Sequence, residues 1–570
     1  MHDSLAERMA TGPSRWPRLT ADVVRADVLA GLAVGLLLVP QSLAYAQLAG
    51  LSPIHGLYCA LLPVVIGALA GWSHQLHTGP VAMTAILVAA TLAPLATPGS
   101  SDYAALAALL ALLVGTIRIG LGLLHAADMT RLISHPVLTG FTAAAAIIIA
   151  STQLPNLIGA PATTLGASPL NGFTSVAQDL THPHWAVVCM GIGCLIALLI
   201  CKRWPRLPGA LLVLGFATFV SWLTGYSGAT VGALPAGLPS ISLPRMDLSP
   251  VMQLLPGAML VALIGFAEVL SATRSCATKT RQSIDLNREL IGQGAASLAA
   301  SVTSAFPPSG SLSRSALSLA AGTKTAISSV VSAVVVLIVL LGGTQLLAPM
   351  PLAALAALVV VAVLPLIDLR PLLRAWKTLP HDGIAGLAAF VLTLALAPDM
   401  FRGFLYGIAL AVGLFLWRLT RPRVADCSKH PDGTWRDCRT MHLEPSPDLA
   451  VLRPDARISF PSATAVEDAI NSVLTTRPQL RAIVLACESV NEIDATGCEA
   501  LRGIARTLAD ANVTCVLSGL KGPVQDVAQR SGLLDLFGSN NVFRTTDDAV
   551  KALESRLGLG PQPWDPPTMP

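Results

Sequence analysis

The chain of 570 residues contains 53% hydrophobic and 12% charged residues, and its formal net charge is +4. Soluble domains carry about 25% charged residues, so this composition excludes a wholly water-soluble protein and indicates a chain that lies mainly in lipid. The net charge is small and no basic run is interleaved with aromatic residues, so we predict no nucleic-acid partner. The ten cysteines show neither CxxC pairs nor Cys/His ligand spacing, which predicts no metal site.

Residues 1–24 are rich in Arg and lack a short apolar core followed by a cleavage site, so we expect a cytoplasmic segment rather than a signal peptide. A transmembrane transport domain follows over residues 25–420. It contains fourteen apolar segments, which recur as expected for helices that cross a bilayer core of about 30 Å. The segments cover residues 28–46, 54–70, 80–93, 104–124, 136–158, 185–202, 208–225, 255–273, 290–304, 311–320, 325–347, 351–367, 383–397 and 402–418.

Two of these segments, residues 80–93 and 311–320, are too short to span a membrane. They are the third and the tenth, so each is third in a run of seven, and each follows a stretch rich in Gly, Pro or Ser. Short segments at matching positions of two halves indicate a binding site between inverted repeats. The sequence therefore predicts an α-helical polytopic membrane protein of about 14 segments, a seven-plus-seven inverted repeat with two half-helices.

Lys and Arg residues cluster after the even-numbered segments, whereas the loop at residues 159–184 has none and the loop at 226–254 has only Arg245. Cytoplasmic flanks of membrane helices are enriched in Lys and Arg. The pattern predicts an integral membrane protein with both termini in the cytoplasm, and Arg402 is an exception to it.

Beyond the membrane segments, residues 421–448 are polar, contain several prolines and are predicted to be a linker. Residues 449–557 alternate between strand-like and helix-like stretches, which predicts a small α/β domain of about 100 residues. Candidate strands cover residues 457–460, 482–486 and 514–517, and candidate helices cover 463–475, 497–510, 522–530 and 546–557. The Pro-rich residues 558–570 are expected to be a disordered tail.

Several motifs occur in a fixed order along the chain. They lie at residues 27–31 (DVLAG), 39–46 (VPQSLAYA), 56–58 (GLY), 79–82 (GPVA), 287–294 (NRELIGQG), 311–325 (SLSRSALSLAAGTKT) and 493–497 (IDATG). The first six resemble motifs of the sulfate permease (SulP) family, and the last resembles the core of a STAS domain. The resemblance covers nearly the whole chain and is specific for the family but not for the substrate.

The resemblance implies a moving core bundle, a gate bundle, an anion site near mid-membrane, a homodimer and a bacterial-type inner or plasma membrane. It implies a secondary active transporter that works by alternating access on a small anion of the sulfate or bicarbonate class, coupled to H⁺ or Na⁺, with no other cofactor. A C4-dicarboxylate/H⁺ symporter, a nucleobase-type permease and a sensor with a membrane anchor are the alternatives. The sequence contains no Walker loop and no defensible nucleophile–base set, so we expect no enzyme.

The starts of the two half-helices are the predicted anion site. Two helix N-termini that meet at mid-membrane would offer an anion free N–H groups and favourable dipoles. The residues at these starts are Val81, Ala82, Ser311 and Ser313, and most are small enough for an anion to reach the backbone. The alternative is that small residues only pack helices closely.

Three further side chains complete the predicted site. The resemblance implies that Gln41 and Tyr45 line the pocket, although a membrane Gln can also join two helices by a hydrogen bond. Arg314 would add a fixed positive charge. An intramembrane Arg costs about 2.5–3.5 kcal/mol on insertion scales and is a functional candidate by default. Its alternative is snorkelling to the membrane interface.

Glu268 lies well inside the eighth segment, where a carboxylate must be neutralised by a proton, a cation or Arg314. The resemblance associates an acidic residue at this position with cation coupling. We therefore predict that Glu268 carries H⁺ or helps to bind Na⁺, with a permanent structural salt bridge as the alternative.

Thr496 is the candidate regulatory residue, because the resemblance aligns it with a residue that is phosphorylated in free-standing relatives of the fold. The residues themselves favour a simpler role, in which Asp494 or Thr496 caps the helix that begins near Gly497. Ala486 stands where many relatives carry an acidic residue, which weakens the regulatory interpretation further.

Overall fold

The computed structural model describes residues 20–127, 134–160, 184–204, 208–397 and 400–558. The predicted N-terminal segment up to residue 19 and the predicted tail from residue 559 lie outside these ranges. The chain divides into two compact units, residues 1–411 and 412–570. Among the described residues, the first unit is helical apart from one short ladder, and the second contains a six-stranded sheet.

The helical part begins with α1 (Ala21–Leu48), α2 (Ile54–Cys59), α3 (Leu62–Ala70), β1 (Thr78–Gly79), α4 (Ala82–Leu92), α5 (Ser101–Leu123), α6 (His135–Ile158), α7 (Trp185–Cys201) and α8 (Gly209–Thr224). It continues with α9 (Leu248–Thr280), α10 (Leu286–Val302), β2 (Ser309–Gly310), α11 (Leu312–Ala320), α12 (Ile327–Ile338), α13 (Thr344–Leu347), α14 (Leu352–Val363), α15 (Arg370–Thr378), α16 (Pro380–Ala395) and α17 (Met400–Leu419). A π-helical turn over Val339–Gly343 joins α12 to α13.

All fourteen predicted segments correspond to these helices, and the predicted polytopic helical fold is confirmed. Seven helical stretches of the described residues are long and apolar enough to cross a membrane. The two predicted half-helices are α4, with 11 residues, and α11, with 9. At 1.5 Å per residue each is about 14–17 Å long, which is half of the bilayer core. The amphipathic α15 lies between predicted segments and joins α14 to α16.

Glycine residues allow pairs of long helices in the first unit to approach each other closely. Gly115 of α5 and Gly294 of α10 face each other, and a methyl group at either position would lie 2.9 Å from the other's carbonyl oxygen. On α1, a methyl group at Gly35 would lie 2.8 Å from Val335 of α12. Small residues allow membrane helices to approach this closely.

Asp27 connects α1 to the segment between α11 and α12. Its buried carboxylate accepts hydrogen bonds from the backbone N–H groups of Lys324 at 2.7 Å and Thr325 at 3.1 Å, and from the Thr325 hydroxyl at 2.5 Å. The charge is therefore satisfied by donors that lie almost 300 residues away in the chain.

The second unit contains β3 (Val424–Lys429), β4 (Trp435–Asp437), α18 (Cys438–Met441), β5 (Leu449–Pro454), α19 (Ala463–Thr476), β6 (Ala482–Ala486), α20 (Ala495–Asp510), β7 (Thr514–Ser518), α21 (Gly522–Arg530), α22 (Leu533–Phe537), β8 (Val542–Phe543) and α23 (Thr546–Leu557). The strand order is β4-β3-β5-β6-β7-β8. Strands β5 to β8 are parallel, and β3 pairs antiparallel with both β4 and β5. The predicted helices and the strands at 482–486 and 514–517 agree with this unit.

Two predictions for the second unit need correction. Residues 424–441, which were assigned to the linker, form β3, β4 and α18. Residues 457–460 are not a strand, since Ile458 makes only an isolated bridge to Ile493, and the strand lies earlier, at β5. The polarity of β3 explains the first error. Its Asp426 contacts Arg477, and burial raises the pKa of this carboxyl although the guanidinium opposes the shift.

Candidate functional site

A two-residue antiparallel ladder joins the segments that lead into the two half-helices. Thr78 pairs with Gly310, and Gly79 pairs with Ser309. Because α4 and α11 begin within three residues of the ladder, their N-termini lie close together. Among the described residues no side chain caps α4, whose preceding residue Val81 is extended and buried. The first-turn N–H groups of α4 therefore remain available to a ligand.

The other three predicted residues at the helix starts differ in burial. Ala82 is half-buried, Ser311 is buried and Ser313 is exposed. The Ser311 hydroxyl accepts a hydrogen bond from the backbone N–H of Arg314 at 3.3 Å and lies 3.3 Å from the Ser313 hydroxyl. The structure thus brings all four helix-start residues to the two ends of one ladder.

Arg314 is fully buried in the first turn of α11. Its Nε donates to His77 Nδ1 at 3.3 Å, and its Nη1 donates to Gln41 Oε1 at 3.4 Å. Its Nη2 is buried, and none of the described residues accepts a hydrogen bond from it. A methyl group at Gly79 would lie 3.3 Å from this atom. The guanidinium therefore directs an unused donor at the ladder, and its burial argues against snorkelling.

Gln41 and Tyr45 lie on one face of α1, because they are four residues apart in a helix. Gln41 is half-buried and accepts the bond from Arg314, which makes it a contact between α1 and α11. Tyr45 is buried and interacts electrostatically with Arg314 and Glu268. Gln41 thus contacts the guanidinium, and Tyr45 interacts with it electrostatically.

Glu268 lies on α9 and interacts electrostatically with two buried guanidinium groups, those of Arg314 and Arg118. Its Oε2 is buried, and none of the described residues donates a hydrogen bond to this atom. The described residues also contain no ion pair of Glu268 within 4.0 Å. In this conformation the Glu268 carboxylate interacts with two positive charges but does not form the structural salt bridge that is the alternative to cation coupling.

Arg118, which is fully buried on α5, is not among the residues predicted from the sequence. The signal was present, because Arg118 is a lone charge in an apolar segment, as Arg314 is. His77, which precedes β1, is a further residue without a signal in the sequence. The His77 ring lies between Arg314 Nε and the hydroxyl of Ser332, at 3.3 and 2.8 Å.

A buried hydrogen-bond network on α10 holds β1 and was also not identified from the sequence. Gln293 Nε2 donates to Thr78 Oγ1 at 2.9 Å and to Glu289 Oε1 at 3.0 Å. Glu289 Oε2 accepts the backbone N–H groups of Trp72 and Ser73, both at 2.9 Å. Each of these bonds positions the chain that leads into α4.

In the second unit Asp494 caps α20, as one of the two sequence interpretations proposed. Its Oδ1 accepts the backbone N–H of Gly497 at 2.8 Å, and its Oδ2 accepts that of Phe460 at 2.9 Å. Thr496 is exposed in the first turn of the same helix. The hydroxyl is therefore accessible, and its regulatory role stays a prediction.

Each of the two units matches a known protein family or domain. The model described as the sulfate permease family matches residues 24–389, and the STAS domain model matches residues 440–549. The "Probable sulfate transporter" of Mycobacterium tuberculosis is 34% identical over 545 residues, which cover 94% of this chain and 96% of the relative. The chloroplastic sulfate transporter 4.1 of Arabidopsis thaliana is 30% identical, with 94% of this chain and 81% of the relative covered.

Solved structures give the same fold. The murine Solute Carrier 26 family member A9 anion transporter in the inward-facing state aligns with a TM-score of 0.85 at 21% identity, covering 97% of this chain and 95% of that protein. The transmembrane domain of a cyanobacterial bicarbonate transporter, BicA, aligns with a TM-score of 0.57 at 22% identity, covering 69% of this chain and 99% of that domain.

Proposed function

The chain belongs to the sulfate permease family, and we propose that it is a secondary active transporter of a small anion, with sulfate as the first candidate and bicarbonate as the second. One observation carries the proposal. The buried Arg314 directs an unused Nη2 donor at the ladder that joins the two half-helix starts. The names of these relatives, which are sulfate transporters, support the choice of sulfate.

The geometry suits a weakly held anion. An unused donor on a buried guanidinium is costly to leave unpaired, since the desolvation penalty of a charged group is large. An anion at the ladder would accept from Nη2 and from the uncapped N–H groups of α4, and it would lie at the positive ends of two helix dipoles. Neutral neighbours such as Gln41 and Tyr45 would orient it without adding charge.

We assign cation coupling to Glu268. The charged or titratable side chains that interact electrostatically with it from neighbouring elements are Arg118 on α5, Arg314 on α11 and Tyr45 on α1. A proton on Glu268 raises the positive charge of this group by one, so proton uptake and anion binding favour each other. H⁺ is the first candidate because one carboxylate oxygen receives no hydrogen bond from any residue that the structure describes. Na⁺ is the alternative that the experiment below distinguishes.

The remaining features of the transporter are proposals that the family membership supports. We propose a homodimer in a bacterial-type plasma membrane, with both termini in the cytoplasm, that works by alternating access between a core and a gate bundle. The Lys/Arg distribution between the loops supports the orientation. The STAS domain would then be cytoplasmic, with Thr496 exposed for regulation.

The test is uptake of labelled sulfate into proteoliposomes, with imposed H⁺ or Na⁺ gradients, and with bicarbonate, a C4-dicarboxylate and a nucleobase as competitors. We expect sulfate uptake that an inward H⁺ gradient accelerates and that Arg314→Ala removes. The matched control is Arg370→Ala, because the Arg370 side chain is 82% exposed. Uptake of none of the anions, or competition by the nucleobase alone, would overturn the proposal.

A further inference from the structure

Arg118 is a second buried cation beside the candidate site, and its described hydrogen-bond partners are all neutral. Its Nη1 donates to the Pro308 carbonyl at 3.0 Å and to Ser297 Oγ at 3.2 Å. Its Nη2 donates to the Val261 carbonyl at 3.3 Å, and its Nε to the Ala262 carbonyl at 3.4 Å. The side chain is fully buried, and these bonds to neutral groups do not pair its charge.

The contacts of Arg118 place its guanidinium against β2. Pro308 directly precedes β2, and the Ser309 hydroxyl of β2 donates to the Gly265 carbonyl of α9 at 2.9 Å. A methyl group at Gly265 would lie 2.3 Å from Arg118 Nη2. Because Gly265 has no side chain, the Arg118 guanidinium can pack against α9 at this position, one turn before Glu268.

The two fully buried carboxylates of the described membrane unit are already satisfied by hydrogen-bond donors. Asp27 accepts the backbone N–H groups of Lys324 and Thr325, and Glu289 accepts those of Trp72 and Ser73. Neither is therefore the counter-charge of Arg118.

Glu268 is the carboxylate that interacts with both Arg118 and Arg314. Two permanently charged guanidinium groups and one ionised carboxylate leave this group with one net positive charge. A proton on Glu268 leaves it with two.

We propose that Arg118 is a specificity-determining residue. Its fixed charge gives the site a net charge of two when Glu268 is protonated, which matches a divalent anion. This inference rests on the proposed transport function. A low-dielectric site penalises unbalanced charge, so a divalent oxyanion such as sulfate is held when Glu268 is protonated. A monovalent anion balances the site when Glu268 is ionised. Arg118 therefore couples the charge of the anion to the proton.

The probes are sulfate and methyl sulfate, which share a tetrahedral sulfur group and differ in charge. Their apparent affinities for detergent-solubilised full-length protein are measured by thermal stabilisation, and their exchange is measured in proteoliposomes. Arg118→Gln keeps hydrogen-bond donors near Pro308 but removes the charge. We expect the ratio of sulfate to methyl sulfate affinity to fall roughly tenfold or more, and Arg118→Lys to restore most of it. Arg370→Gln should leave the ratio unchanged.

A folded Arg118→Gln protein with an unchanged ratio would overturn the inference, because a purely structural role would weaken both anions alike. If Arg118→Gln does not fold, the ratio is measured on Arg118→Gln/Glu268→Gln against Glu268→Gln. This pair removes opposite buried charges together, and an unchanged ratio between the two proteins also overturns the inference. A wild-type protein that neither anion stabilises, and that exchanges neither, contradicts the transport function itself.

Discussion

Arginines are paired differently in the two units of the molecule. In the STAS domain they meet carboxylates near the surface, as Arg453 does with Asp455 at 2.7 Å and Arg457 with Glu492 at 3.1 Å. In the membrane unit Arg118 and Arg314 are fully buried, and their described hydrogen-bond partners are neutral. Exposed pairs contribute little to stability. A buried guanidinium without a bonded counter-charge is costly. The arginines of the membrane unit therefore indicate a binding site, whereas the exposed ion pairs of the STAS domain do not.

The largest expected effect comes from removing the charge with the unused donor. Arg314→Ala should lower sulfate uptake by roughly 30-fold or more, since truncating a buried, hydrogen-bonded charge costs about 2–5 kcal/mol. Folding should stay near normal because the bonds lost, to His77 and Gln41, are both longer than 3.2 Å. Uptake and a thermal melt are measured on one preparation. Unchanged uptake kinetics in a folded variant would show that Arg314 has no role in transport, as expected of the exposed arginines.

Glu268→Gln should separate binding from coupling. The neutral side chain can no longer change charge with H⁺, so gradient-driven accumulation should disappear while anion counterflow persists. Both are measured beside a thermal melt. Normal accumulation by a well-folded variant contradicts the coupling role. A collapsed melting temperature would point instead to a structural salt bridge, whose loss costs roughly 3–5 kcal/mol when buried.

A truncation tests how independent the two units are. Deleting residues 421–570 should leave an assembled membrane unit, because the second unit is compact by itself and begins beyond residue 411. Deleting only residues 449–570 should aggregate more, since β3 and β4 would remain with an unpaired edge where β5 was. Size-exclusion chromatography in detergent compares the two proteins. Aggregation of the shorter protein, with a monodisperse longer one, would contradict this order.

The smallest effect is expected at the surface of the STAS domain. Asp547 bonds Lys429 at 2.7 Å and Lys551 at 3.0 Å, and these partners lower its pKa. Asp547→Asn should cost about 0.2–1 kcal/mol of local stability at neutral pH. Because the folded pKa is lowered, this stabilisation is present above the unfolded pKa of about 3.9 and is lost as the pH falls through the folded value.

Hydrogen exchange of β3 and α23 in the full-length protein measures this difference. Asp510→Asn, at an exposed position of α20, is the control. If Asp547→Asn lowers the free energy of local unfolding by several kcal/mol, these exposed ion pairs contribute more than their exposure predicts.

The sequence predicts the membrane helices well, because lipid requires long apolar segments wherever the chain crosses it. It also predicts α21 and α23 with the bounds that the structure has. It fails at β3, whose half-buried Asp426 contacts Arg477, 51 residues away in the chain. A tertiary partner of this kind leaves no local signal.

The candidate site was predicted in part. The half-helix starts follow from segment length and position, whereas the contact of Gln41 with Arg314 joins residues 273 positions apart and has no local pattern. Arg118 could have been found by the rule that selected Arg314. Its neutral partners could not, because three of them are backbone carbonyls, two on α9 and one directly before β2, and every residue type offers a backbone carbonyl.

The Asp27 contact has a consequence for biosynthesis. A ribosome adds about 5–20 residues per second, so the donors at Lys324 and Thr325, 297 residues downstream of Asp27, emerge roughly 15–60 s later. Throughout that interval α1 holds a carboxylate for which its final partners do not yet exist, and lipid offers no substitute. The insertion machinery, a lipid headgroup or water must therefore solvate the Asp27 carboxylate until residues 324 and 325 have been synthesised. Nascent chains arrested before residue 324 should consequently leave the start of α1 accessible to water-borne labels, and chains arrested well after it should protect that start.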